Sequence, residues 1–322
     1  MKFNAKMLLV YVLSVVVIAI WGMSLIWTDE LFTLNIPPEF ILPIRTLLAG
    51  LLLLVFNLVT RQSMRIQSRK DLYLFCAISL FEPLLYFLAE AYGLKLTASP
   101  TVSALILALN PVFALFAGMI VFREKVTWVN VVGLVLTITG LAFVVLKQES
   151  FGEYFFIGIF ILLFASLSEV AYATLTKRLS TGSSARSEGT DRAGKSYSAS
   201  VIVMWQFLIG CIYLIPLFLT RGLRNYDPAI YLSWDVLRPL ICLALLCSCL
   251  CFTLWAFCIK YLGVAKSGNF IAITPVFTAL ICWMIGREFL AVHQWVGIGI
   301  ALFGLILTQY AGEVRCRRRN KV

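Results

Sequence analysis

A chain of 322 residues can house a sizeable soluble core, but 61% of this one is apolar and only 13% charged, a balance no water-facing surface keeps. Long uncharged runs recur from end to end and leave no polar stretch large enough for a second domain, so the chain reads as an all-α integral membrane protein. The net charge of +11 would suggest nucleic acid in a soluble protein; here its distribution decides what it means.

Ten spans are predicted, each near the ~20 residues a helix needs to cross a bilayer: residues 8–27, 39–59, 72–93, 98–121, 127–146, 155–176, 199–219, 238–258, 264–286 and 291–310. The first is too long for a signal-peptide core and lacks a small-residue cleavage site, so it is expected to be retained. Residues 180–198 (STGSSARSEGTDRAGKSYS) are rich in Ser, Gly and charge and read as a flexible linker. The eighth span carries Cys247, Cys249 and Cys251. On a helix, positions two apart lie about 200° apart, so this tract is packing rather than a metal site, and cysteines in apolar runs are not expected to pair as disulfides.

The chain repeats itself. Ala108-Leu109-Asn110-Pro111-Val112-Phe113 returns 164 positions later as Ala272-Ile273-Thr274-Pro275-Val276-Phe277. At the same offset Arg123-Glu124 returns as Arg287-Glu288, and Gly133 and Gly140 return as Gly297 and Gly304. Each copy holds an odd number of spans, so the second enters the membrane from the opposite side. The expected architecture is ten transmembrane helices in an inverted 5+5 repeat, with residues 1–179 as the first repeat, 180–198 as a cytoplasmic linker, and 199–322 as the second repeat with a basic cytoplasmic tail. Two inverted copies that enclose a midplane site and rock against each other are the pattern of secondary transporters.

With the N-terminus placed in the cytoplasm, the spans leave twenty Lys and Arg on that side and six on the other. This bias puts both termini in the cytoplasm and makes the basic charge a topology signal, not a nucleic-acid footprint.

Ionisable groups in a bilayer core cost about 2.5 to 3.5 kcal/mol on insertion scales, so each needs a reason. Glu82 lies near the middle of the third span and Glu169 in the inner half of the sixth. Pro83 after Glu82 frees a backbone carbonyl at about the midplane, and a carboxyl beside such a kink can hold a cation, an amine or a proton. The alternative for either acid is a neutral carboxyl hydrogen-bonded within the bundle. Arg45 and Glu90, toward the outer ends of the second and third spans, sit at similar depth and can pair across helices. Asn110 and Asn269 are either cavity lining or interhelical glue. Trp21, Tyr86, Tyr172, Trp205 and Trp255 offer rings for stacking, with Gln206 a further polar candidate. Pro111 and Pro275 are expected at symmetry-related places around one central cavity. Glu124 and Glu288, each beside an arginine at a helix end, read as terminal ion pairs with structural or gating roles.

Taken together, the run ALILALNPVFALFAGMIVFREKVTWVNVVGLVLTITG, Trp21-Gly22, Pro43 and Arg45, and Tyr172 resemble the EamA domain of the drug/metabolite transporter superfamily, present as two copies over nearly the whole chain. The resemblance implies ten helices and an inner-membrane carrier that exports small metabolites, often amino acids or related compounds. The nearest rival substrate class is a nucleotide sugar or phosphorylated metabolite, which needs fixed cations in the cavity, and Arg45 is the one candidate. Two other classes, an intramembrane lipid-modifying enzyme and a receptor or channel, have weaker support. No nucleophile with a paired base is visible, His293 has no candidate partner nearby in sequence, and there is no GxxxxGK[ST] motif, so neither an enzyme nor a cofactor is expected. The partners in view are a small-molecule substrate and the lipid bilayer, with protons and a homodimer as further options and nucleic acid excluded.

Overall fold

The computed structural model describes residues 5–110, 112–113, 128–145, 152–181, 197–224, 226–262 and 270–319. Among them every regular element is a helix. We number these α1 (Ala5–Thr33), α2 (Pro38–Val59), α3 (Arg69–Ser79), α4 (Tyr86–Thr97), α5 (Pro100–Leu107), α6 (Trp128–Val145), α7 (Phe155–Thr181), α8 (Ala199–Leu217), α9 (Trp234–Cys242), α10 (Phe252–Leu262), α11 (Thr274–Met284) and α12 (Val292–Arg319). A single helical turn, Pro228–Tyr231, stands apart from the series.

Six stretches are long and apolar enough to cross a bilayer: Met7–Thr33, Pro38–Val59, Arg69–Thr97, Phe155–Thr176, Ala199–Gly222 and Trp234–Leu262. Three shorter apolar helices, Trp128–Val144, Thr274–Met284 and Val292–Leu307, fall where the fifth, ninth and tenth spans are expected. The expected fourth span is described as α5 and a few residues beyond it. The chain is thus a multi-pass membrane protein, and its exposed Leu, Val, Phe and Ile side chains are the surface that faces lipid.

Several of these helices are interrupted, and the interruptions come in corresponding places. α5 stops at Leu107 and the chain turns at Ala108 and Leu109; 164 positions on, it turns again at Ala272 and Ile273 before α11 begins. The local bonds match as well. Leu109 N–H donates to Ile106 O at 3.0 Å as Ile273 N–H donates to Phe270 O at 2.9 Å, and Val112 to Leu109 at 2.8 Å as Val276 to Ile273 at 3.1 Å. Proline explains the break, because it has no N–H for the carbonyl four residues back. For Pro275 that carbonyl belongs to Ile271, and Thr274 Oγ1 donates to it at 2.7 Å. The corresponding carbonyl for Pro111 is that of Leu107, and it accepts from Ser166 Oγ of α7 at 3.4 Å. Irregular backbone at membrane depth survives only with such substitute partners.

A second pair of irregularities lies in the third and eighth spans. Between α3 and α4, Leu80–Leu85 is loosely wound, and Glu82 leaves the helical region altogether at φ −150°, ψ 120°. Between α9 and α10, Leu243–Cys251 is also wound wide. The Pro83 ring at the first joint presses on α8, where a β-carbon built on Gly210 would come within 2.4 Å of its Cγ. Only glycine leaves room for that ring.

The helices pack α4 on α7, α2 on α8, α1 on α11 and α6 on α12. In the last pair the backbones themselves touch. A β-carbon on Gly140 would lie 2.3 Å from Ala301 N and 2.5 Å from Gly297 O, while one on Gly304 would lie 2.5 Å from both Thr137 N and Gly133 O. Shifting each residue of the first set by 164 gives the second, so the contact maps onto itself.

A valine at Gly140 should therefore force α6 and α12 apart, and overpacking of this kind costs about 1 to 3 kcal/mol. We expect Gly140→Val to lower the detergent-solubilised melting temperature clearly, and Gly299→Ala, which has open space around the added carbon, to leave it unchanged. Equal melting temperatures for all three proteins would contradict the packing account.

Candidate functional site

The interruptions converge on one cavity of about 590 Å³ of empty space, its mouth included. Trp21, Ser24 and Leu25 reach it from α1, Arg45 from α2, Glu82 from the first loose joint, and Tyr86, Phe87 and Glu90 from α4. Ala104, Leu107 and Ala108 close one side at the first break; Ile271 and Thr274 do so at the second. Glu169 and Tyr172 of α7 and Phe252 and Trp255 of α10 complete the wall.

Arg45 is 3% exposed, an expensive place for a guanidinium. Its Nε donates to Ser248 Oγ at 2.6 Å, and its Cζ sits 4.1 Å from the centroid of the Phe87 ring. The expected ion pair with Glu90 is not formed within 4 Å, although Glu90 and Glu82 both lie in the field of Arg45. Glu90 instead accepts from Tyr86 OH at 3.2 Å, one helical turn away. A hydroxyl and an aromatic face hold the cation, so Arg45 is fixed without being neutralised by contact.

Glu82 is 2% exposed, and its Oε2 has no hydrogen-bond partner among the described residues. Because its backbone is extended rather than helical, its side chain departs from the helix course and enters the cavity wall. Glu169 faces it from α7 within electrostatic reach. One oxygen of Glu169 accepts a short hydrogen bond from Asn110 Nδ2, at the broken helix. Asn110 Oδ1 is buried with no partner among the described residues.

Trp21 stands edge-on to Phe252 and Trp255, with ring centroids 5.2 and 5.3 Å away, and its Nε1 points toward Cys247 O at 3.4 Å. Tyr172 is buried and donates to Gln206 Oε1 at 3.3 Å. Gln206 is thereby tied to the site from behind but does not line it. Trp205 lies elsewhere, its Nε1 donating to Met64 O at 2.9 Å. Pro275 opens α11 next to Thr274, which lines the cavity. Pro111, Glu124 and Asn269 lie outside the described residues.

Sequence reasoning missed Phe87, Phe252, Ser24, Thr274 and Ser248. Ser248 was hidden in plain view, because the Cys247-Ser248-Cys249 tract draws attention to sulfur and away from the one hydroxyl that holds Arg45.

At one end of the bundle a polar clamp ties the helix tips together. Arg287 Nη1 meets Asp29 Oδ2 at 3.1 Å and its Nη2 meets Glu30 Oε2 at 3.9 Å, while Arg238 makes a short contact with Glu30. Glu288 does not form the terminal ion pair expected of it. It accepts from Ser99 Oγ at 2.7 Å and, in a short bond, from Thr101 Oγ1, at the start of α5. Burial pushes the Glu288 carboxyl above its ordinary range, against the pull of the Thr101 and Ser99 hydroxyls.

The chain matches the EamA-like transporter family model in two stretches, residues 8–146 and 156–310. The chain belongs to that family. It is a transporter of the drug/metabolite transporter superfamily. An uncharacterized transporter of Bacillus subtilis (strain 168), YetK, is 23% identical over 308 residues, 92% of this chain and 86% of the relative. An uncharacterized transporter of Archaeoglobus fulgidus is 21% identical over 238 residues, 74% of this chain and 78% of the relative. A solved structure titled only as a crystal structure of a protein superposes with a TM-score of 0.65 at 13% identity, covering 98% of this chain and 99% of that one, which shows a shared fold. Two family matches, one per half, put Glu82 and Asn110 in the first EamA unit and Gln206 and Pro275 in the second.

The clamp yields a pH prediction. An acid whose folded pKa is raised holds more protons folded than unfolded, so its contribution to stability is present below the ordinary value of 4.5 and is lost as pH rises through the folded value. Glu288→Gln cannot titrate. Its melting temperature relative to the parent should therefore shift in the variant's favour as pH is raised from 4.5 toward neutral. A difference that stays constant over this range would exclude a raised Glu288.

Proposed function

We propose that this transporter is a secondary carrier that exports small metabolites, amino acids or related compounds, across the inner membrane by alternating access. The observation that carries the reading is the cavity itself, a pocket with carboxylates and aromatic rings bounded by helix interruptions that recur at corresponding positions. Interrupted helices that expose backbone groups to a cavity at membrane depth are the usual construction of a transport site. The proposed framework is ten transmembrane helices in an inverted 5+5 repeat, with residues 1–179 and 199–322 as the two units joined by the 180–198 linker. The α6 and α12 contact that maps onto itself and the matched hydrogen bonds at the two broken helices support it.

Glu82, Glu169, Asn110, Asn269, Trp21, Tyr86, Tyr172 and Gln206 are the proposed binding and coupling residues. Arg45, Glu90, Pro111, Pro275, Glu124 and Glu288 have structural or gating roles. A phosphorylated or nucleotide-linked substrate fits less well, since the one cation in the described lining, Arg45, already serves Ser248 and the Phe87 ring. Protons are the proposed coupling ion, exchanged at Glu82, whose free carboxylate oxygen can be balanced by a proton or by a substrate charge but not by both at once.

Replacing Glu82 with Gln keeps shape and removes ionisation. In reconstituted vesicles, Glu82→Gln should lose export or transport at a rate that no longer varies with pH, with expression and elution profile intact. Wild-type pH dependence in that protein would remove Glu82 from the coupling role and turn attention to Glu169. The orientation rests on the basic bias and has its own test. Single cysteines placed in the 180–198 linker and the 315–321 tail should react with a membrane-impermeant maleimide only after the cells are permeabilised, and labelling of intact cells would reverse the topology.

A further inference from the structure

The cavity's charges do not balance. Three carboxylates, Glu82, Glu90 and Glu169, share the lining with one guanidinium. Arg45 acts on the Glu90 side, held by Ser248 and stacked on Phe87. Neither Glu82 nor Glu169 has a basic side chain within 4 Å among the described residues, which the formed ion pairs, all at the clamp, make plain. Glu169 has one oxygen occupied by Asn110, and Glu82 has one buried oxygen with no partner among the described residues. A buried carboxylate oxygen without a donor is costly, and a site that keeps one is built around a donor that arrives from outside.

The walls say what kind of donor. Trp21 stands edge-on to both Phe252 and Trp255, and these three rings line the cavity together with Tyr86, Phe87 and Tyr172. Such rings attract a cation through their faces and give an apolar body a place to lie. No group of three or more His, Cys, Asp or Glu that could ligate a metal ion together exists among the described residues. An anion would meet two uncompensated carboxylates.

We infer that the cavity recognises an organic ammonium group, bound between Glu82 and Glu169 with its apolar body against Trp21, Phe252 and Trp255, so that the favoured substrates are amines with an aromatic or branched aliphatic part. This rests on the transport reading above and narrows its substrate class. Within the amino-acid-like compounds, the amino group is the recognised feature and the carboxylate a tolerated addition on the Arg45 side. Four charged side chains and two phenols face the ammonium: Glu82 at the joint, Glu90 on α4, Glu169 on α7 and Arg45 on α2, with Tyr86 of α4 and Tyr172 of α7 beside them.

The test uses a matched series that varies charge at constant body: phenethylamine, phenylalanine and 3-phenylpropionate. Binding to the purified full-length protein is read by the shift in melting temperature with ligand concentration, which needs no transport. We expect phenethylamine to bind tightest and 3-phenylpropionate not to bind. Glu82→Gln and Glu169→Gln should each weaken the amine by roughly tenfold or more, because each removes half of the ammonium's buried counter-charge. Each variant is first checked for a parental elution profile and ligand-free melting temperature, and Glu169→Gln serves if Glu82→Gln folds poorly. Absence of amine binding, equal or tighter binding of the acid, or an amine affinity unchanged in both variants would overturn the inference. Vesicle counterflow with the same three compounds separates it from the transport reading. Amine binding without counterflow leaves the inference standing and defeats amine transport, whereas counterflow of the acid alone does the opposite.

Discussion

In hydrocarbon, a backbone amide or carbonyl without a partner costs several kcal/mol, and no water is at hand to help. That constraint governs this molecule. At the two proline breaks the chain supplies a substitute: the Thr274 hydroxyl for the carbonyl of Ile271, and the Ser166 hydroxyl for that of Leu107. Each substitute fixes a neighbour. Ser166 ties α5 to α7, which brings Glu169 to within reach of Asn110. The wide winding of Leu243–Cys251 sets Ser248 where it can hold Arg45. The irregular backbone is thus what assembles the cavity, and the regular helices around it are its scaffold.

The charges follow the same logic with a different outcome. Arg45 is provided for twice over, by a hydroxyl and by a ring. At the clamp, where side chains are between a fifth and a half exposed, arginines and acids meet directly, and such pairs contribute about 0 to 1 kcal/mol each. Glu82 lies between these cases, buried like Arg45 yet with one oxygen unprovided for. Among the described residues Asn110 Oδ1, Thr176 Oγ1, Gln206 Nε2 and His293 Nε2 are buried without a partner as well, but the Glu82 oxygen alone of these belongs to an acid that lines the cavity.

Much of this was legible in the sequence. The offset of 164 residues located the paired breaks, and the proline at each explains them. Glu82, Glu169, Tyr86, Tyr172 and Trp21 were legible because a polar or amphipathic group inside an apolar run is conspicuous in one dimension. Phe87 and Phe252 were not, since an aromatic residue in a membrane helix looks the same whether it meets lipid, a neighbour or a solute. The pairing of Arg45 with Glu90 was inferred from depth alone. Depth gives position along the membrane normal but not the azimuth of a side chain about its helix, and here the guanidinium turned toward Ser248. Glu288 failed for a related reason: adjacency to Arg287 in sequence sends successive side chains to different faces, and the hydroxyls of Ser99 and Thr101 were nearer.

The glycine contact between α6 and α12 has a mechanical consequence. Side chains that interlock can swap rotamers and let two helices slide, but main chain against main chain offers nothing to rearrange. The pair works as a weld. It joins one helix from each EamA unit, so a motion in which the halves part company as whole bodies would have to tear it. Any motion that keeps this contact whole is drawn instead from the helices with loose joints.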